Sequence, residues 1–148
     1  MVARCGTVRV LGRIRAEGDI ALHMDLVIEV ENEPGALAGV ARAISDAGVN
    51  ISAATCIGAH QTAELHILVP NSGGATEHSL SLEHLNVTRK REVVIVEIDD
   101  SPGALADLSR RVAEAGVNLD LVYVATKNRV VFGSEDLDGL KAALGVNN

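Results

Sequence analysis

The sequence predicts an α+β protein made of two β-α-β-β-α-β units, each an antiparallel sheet with its helices on one face. Three observations carry that expectation. The stretch Asn32-Glu33-Pro34-Gly35-Ala36-Leu37-Ala38 returns as Asp100-Ser101-Pro102-Gly103-Ala104-Leu105-Ala106, with Pro34 mapping onto Pro102 (102 − 34 = 68). The same offset of 68 carries Ala47-Gly48-Val49-Asn50-Ile51 onto Ala115-Gly116-Val117-Asn118-Leu119, so the register is constant and points to internal duplication. Around both blocks, short aliphatic runs alternate with helical 3.6-residue periodicity in one repeated order.

Residues 1–23 read as an N-terminal extension, residues 24–91 as the first unit and residues 92–148 as the second. In the extension, Arg4, Arg9, Arg13 and Arg15 outweigh Glu17 and Asp19, and glycines 6, 12 and 18 interrupt the pattern. Only Thr7 to Ile14 has strand alternation. Two readings stay open: a poorly packed extension with Met24 as the natural start, or a strand that completes the sheet of the second unit.

The first unit opens with a strand over Asp25–Val30. A helix is expected over Pro34–Ala47, with proline at the first helical position and Leu37, Val40, Ala41 and Ile44 forming the buried stripe. Gly48 suits the left-handed helix end. Strands follow over Asn50–Ile57 and Thr62–Val69, then a short helix over Thr76–Leu85 and a strand over Val87–Arg91. The second unit repeats this: strand Val93–Ile98, helix Pro102–Ala115 capped by Ser101, strands Asn118–Ala125 and Arg129–Phe132, and helix Glu135–Leu144. Its fourth strand is short or missing. Val93-Val94-Ile95-Val96 is apolar at consecutive positions and so needs cover on both faces, for which association with another chain is the simplest source.

Composition excludes several functions. Aromatic residues are 1% of the chain, Tyr123 and Phe132 being the whole stock, so base-stacking platforms are missing. A net charge of −7 opposes a phosphate backbone, and nucleic acid is not an expected partner. No apolar run reaches the length of a membrane span, and the N-terminus lacks the apolar stretch of a leader. Cys5 and Cys56 are too few for a disulfide framework or a zinc motif. A soluble cytoplasmic protein without cofactor is expected.

At the two Pro-Gly turns and the Ala-Gly-Val-Asn segments, the sequence resembles a tandem pair of ACT domains, small ligand-sensing modules of amino-acid metabolism. The resemblance covers Asp25 to Leu144. It implies an amino acid bound at domain interfaces, a regulatory and non-enzymatic role, a homodimer, and output through oligomerisation or through a metabolic enzyme or regulator. The matching positions are Asn32, Glu33, Pro34, Gly35, Ala36, Leu37, Asn50 and Ile51 in the first unit. In the second they are Asp100, Ser101, Pro102, Gly103, Ala104, Leu105, Asn118 and Leu119. Their chemistry suits the role: a helix N-terminus favours a carboxylate, glycine allows close approach, and Asp100 or the Asn32 amide can meet an ammonium group. Asn50 and Asn118 are expected beside the loops. The alternative reading is a ligand-free dimerisation or interaction scaffold.

Catalytic readings are weaker. The Pro-Gly loops hold Glu33 or Ser101 where a phosphate-cradling arginine would be needed, and no serine has triad partners. His60, Glu64 and His66 fall on one sheet face, which reads as a solvated face; no metal site is expected, since no ligand spacing supports one. Cys56 reads as a small apolar strand residue.

Overall fold

The computed structural model describes residues 23–70 and 74–146. Thr7–Ile14 lies outside the described residues. The elements run β1 (His23–Glu31), α1 (Ala36–Asp46), β2 (Ala53–Ala59), β3 (Thr62–Pro70), α2 (Ala75–Leu82), β4 (Val87–Glu92), β5 (Val94–Glu97), α3 (Ala104–Glu114), β6 (Leu121–Ala125), β7 (Arg129–Gly133) and α4 (Leu137–Leu144). The α+β class and its β-α-β-β-α-β order are as the sequence predicts. The first sheet has strand order β2-β3-β1-β4 and the second, among the described residues, β5-β7-β6. Every pairing is antiparallel.

Strand alternation sorts the side chains. On β1 and β3, Leu26, Ile28, Val30, Leu65, Ile67 and Val69 face the helices and close a core with Val40, Ala43, Ile44 and Leu80. In the second unit Val94, Val96, Val130 and Phe132 do the same against Leu108, Val112, Leu140 and Leu144. The intervening residues form a third core between the two sheets: Ala53 and Leu68 from the first, Val93, and Tyr123, Ala125 and Val131 from the second. The expectation that association with another chain is the simplest source of cover for Val93–Val96 is therefore corrected. The two sheets cover each other, and Val93–Val96 divides alternately between two cores of one chain.

The sheets cross rather than align. β6 meets β4 at one end, where Arg91 Nη2 lies 2.7 Å from Asp120 Oδ1. Midway it meets β1, where the Tyr123 hydroxyl donates to Asp25 Oδ1 at 2.8 Å. Just past its end, the Thr126 hydroxyl donates to the carbonyl of Ser52, ahead of β2, at 3.3 Å. β6 thus spans the first sheet from its β4 edge to its β2 edge. This is the orthogonal packing in which a strand bends to pass from one sheet to the other. Val93 is that bend, the single residue between β4 and β5.

Some local expectations are corrected. α1 and α3 start two residues later than proline-first helices would, at Ala36 and Ala104. Leu37 is 53% exposed and Leu105 38%, so the buried stripes begin one turn further on. β2 and β6 start at Ala53 and Leu121, leaving Asn50–Ile51 and Asn118–Leu119 in the connections before them. Cys56 is exposed rather than packed. Among the described residues no helix is long and apolar enough to cross a membrane.

Candidate functional site

The two Pro-Gly turns are built alike. Gly35 has φ 96° and ψ −15°, and Gly103 φ 95° and ψ −15°. The Ala36 N–H donates to the Glu33 carbonyl, and the Ala104 N–H to the Ser101 carbonyl, each at 3.3 Å. With proline second and left-handed glycine third, the four residues have the form of a type II turn. Glycine is required there for its backbone conformation: a Cβ at either position would meet nothing within 4 Å. Both helices begin without a side-chain cap, so Ser101 does not cap α3 as expected. Each turn therefore presents an uncapped helix N-terminus to open space. That is an electropositive feature suited to an anionic group.

The copies differ in what surrounds the turn. Asn32 is committed to the β2–β3 hairpin: its Nδ2 donates to the His60 carbonyl at 3.1 Å, and its backbone N–H donates to the Gln61 carbonyl at 2.9 Å. Its side chain fills the space over Gly58, where a Cβ would fall 2.9 Å from Oδ1. In the second copy Asp100 and Ser101 are exposed.

Asn50 and Asn118 are not beside their own turns. Ala53 pairs with Leu68, which pairs with Asp25 at the start of β1, whereas Asn32 follows the end of β1. Asn50–Ile51 and Asn32–Leu37 thus lie at opposite ends of one sheet. At about 3.3 Å per residue, the six steps from Asp25 to Glu31 separate them by about 20 Å. In the second unit Leu121 pairs with Gly133, next to Phe132 and its partner Val94, so Asn118–Leu119 also lies at the end away from Gly103. Ile51 and Leu119 pack against their respective helix-side cores, and Asn50 and Asn118 are exposed. The expectation that Asn50 and Asn118 lie beside the loops is corrected by the parallel course of the first two strands, which a single helix connects.

A second set of polar residues, not expected from the sequence, sits between the sheets. Asp25 is fully buried; its Oδ1 accepts from Tyr123, and its Oδ2 lies 2.8 Å from His66 Nδ1. His66 Nε2 lies 3.2 Å from Glu64 Oε1, which also accepts from Arg89. The even spacing of Glu64 and His66 does put them on the face away from the helices; Glu64 is exposed there as expected, but the second sheet covers His66. His66 is 6% exposed rather than solvated. His60 stands in the hairpin turn with φ 60°. Among the described residues no group of three or more His, Cys, Asp or Glu could hold a metal ion. Beside this set, Arg91 holds the Asp120 carboxyl below its ordinary range. Its guanidinium passes over Gly133, where a Cβ would meet Nη2.

Burial first, and the adjacent Asp25 second, push the Tyr123 hydroxyl far above the ordinary phenol range. The folded chain keeps this proton while the unfolded chain loses it above about pH 10. The contribution is present below that pH and lost as pH rises. Stability should fall there by up to about 1.4 kcal/mol per pH unit more in the wild type than in Tyr123→Phe, as urea titrations at about pH 9 and about pH 11 would measure.

Residues 24–75 match the ACT domain family. No curated protein matches the chain. Among solved structures, a protein from Bacteroides thetaiotaomicron is similar at 24% identity and a TM-score of 0.74, covering 84% of this chain and 88% of that one. The ligand-free regulatory subunit of aspartate kinase from Thermus thermophilus aligns at 16% identity and a TM-score of 0.64, covering 84% and 91%. That of Thermus flavus aligns at 15% and 0.62, covering 84% and 92%. At these identities the likeness is one of fold. The first Pro-Gly turn and Asn50–Ile51 fall inside the matched residues, and the chain contains an ACT domain there.

Proposed function

We propose that the chain is a regulatory module of two ACT units, residues 24–91 and 92–148, which senses an amino acid at domain interfaces. It works without catalysis or cofactor, in the cytoplasm, passing its signal through oligomerisation or to a metabolic enzyme or regulator. The observation that carries this reading is the duplicated turn: two uncapped helix N-termini, each preceded by a glycine held at positive φ, the first inside the matched ACT residues. An amino acid's carboxylate fits such a terminus. Its ammonium is best served at the second, where Asp100 is exposed. The regulatory subunits of aspartate kinase with a similar fold support the same class of role.

The separation of Asn50–Ile51 from its own turn supports a site shared with a second copy. β2 is an edge strand without a charged residue, Ala-Ala-Thr-Cys-Ile-Gly-Ala, and its Ile57 is 65% exposed. The opposite edge, β4, carries Arg89, Lys90 and Arg91, which discourage pairing. Antiparallel pairing of two β2 strands sets the start of one beside the end of the other. Asn50–Ile51 of one copy then approaches Gly58 of its partner, over which that copy's Asn32 lies.

Calorimetry and a thermal-shift screen against the twenty amino acids, with sedimentation velocity, test this. At a hundredfold excess over Kd, a true ligand should add about 2.7 kcal/mol of stability. Ile57→Lys should make the chain monomeric and abolish that gain together. A wild-type dimer that no amino acid stabilises would leave the scaffold reading, which the uncharged β2 edge favours equally.

A further inference from the structure

Three polar contacts that β6 and its two flanking residues make toward the first sheet fall where they connect the two candidate sites. Asp120, held by Arg91, directly follows Asn118–Leu119 of the second unit. Thr126, at the other end, bonds the carbonyl of Ser52, which directly follows Asn50–Ile51 of the first. Between them Tyr123 is tied to the buried Asp25. β6 is five residues long, so about 16 Å of hydrogen-bonded strand joins the two segments.

The ends of this bar are anchored on the second unit's side as well. The Ser134 hydroxyl donates to the Asn118 carbonyl at 2.7 Å, and the Asp120 N–H to the Gly133 carbonyl at 3.1 Å. Arg129 Nη2 donates to the Thr126 hydroxyl at 3.1 Å, and Arg129 Nε to the Thr126 carbonyl at 2.9 Å. A shift of Asn118–Leu119 would therefore strain the bonds of Asp120, Tyr123 and Thr126 to Arg91, Asp25 and Ser52.

We propose that β6 is a coupling bar between the two sites, by which displacement of Asn118–Leu119 in the second unit is felt at Asn50–Ile51 in the first, and the reverse. The ligand consequence rests on the proposed function; the mechanical link does not. Occupancy of one site then changes affinity at the other within a single chain, reciprocally, as linkage requires.

Amide NMR on the full chain tests the link without a ligand. Asp120→Ala releases one end and is read at the other, where Asn50, Ile51 and Ser52 should shift. Thr126→Val releases that end and is read at Asn118 and Leu119. Shift changes confined to the immediate neighbours of each substitution, in spectra that remain dispersed, would overturn the proposal. Should either variant fail to fold, Tyr123→Phe read at both segments decides the same question. A second arm titrates the wild type and the Asp120→Ala/Thr126→Val pair with each of the twenty amino acids. A coupling of about fivefold or more between the two sites is expected in the wild type and independent sites in the variant. Equal coupling in both overturns the bar. If no amino acid binds the wild type, the sensing reading fails, and the bar stands or falls on the amide shifts.

Discussion

Replacing Asp25 with alanine should destabilise the chain by about 3–5 kcal/mol, measured as a lower urea midpoint at neutral pH. The side chain is fully buried and joins three strands: its own β1, β3 through His66, and β6 through Tyr123. Alanine strands the Tyr123 hydroxyl and the His66 ring nitrogen in an interface otherwise built from Ala53, Leu68, Val93, Ala125 and Val131. A donor left buried without its acceptor carries its full desolvation cost, which exceeds the net worth of the bond that was lost. Asp25→Asn is the control, because its carbonyl still accepts from Tyr123. Asp25→Ala combined with Tyr123→Phe should cost less than the sum of the two single changes, since both sides of one bond are then removed. An additive result would show that the bond across the sheets contributes nothing.

Phe132→Ala should cost a similar amount, about 3–5 kcal/mol, by another route. Phe132 is fully buried in a core where every other member is Val or Leu, so no neighbour has volume to spare for the cavity. It lies at the centre of the three-stranded sheet, paired with Val94 on one side and Val122 on the other. Hydrogen exchange should show lost protection first in β5, β6, β7, α3 and α4, with β1 and β3 following through the shared interface. Simultaneous loss in both halves, at the same denaturant concentration, would mean that the two units fold as one cooperative body. Phe132→Leu should recover most of the loss, because it restores volume without a polar atom.

How much of this was legible in the sequence depends on the range of the interaction. Strand alternation and helical period are local, so element order was readable, and so was the need of Val93–Val96 for cover on two faces. What provides the cover was not. The Tyr123–Asp25 bond spans 98 positions and follows only from how the sheets cross. The same gap explains His66: its face could be derived, but not that another sheet lies on it. The helix starts were misplaced for a local reason. Pro-Gly satisfies both a helix N-terminus and a type II turn, and the left-handed Gly35 and Gly103 decide for the turn. The position of Asn50 was lost because the crossover through α1 returns the chain to the end of the sheet where β1 began, which no residue spacing states.

The bend at Val93 bears on any attempt to work with the halves separately. A gene cut between codons 91 and 92 would end the first fragment inside β4, removing Glu92, the partner of Met24. It would also bare Leu68 and Ala53 on one fragment and Tyr123 and Val131 on the other, together with a buried carboxylate that has lost its phenol. Such fragments would be poorly soluble when expressed alone and would recover native behaviour when mixed. Complementation of that kind would make the duplicated architecture a natural starting point for a split reporter.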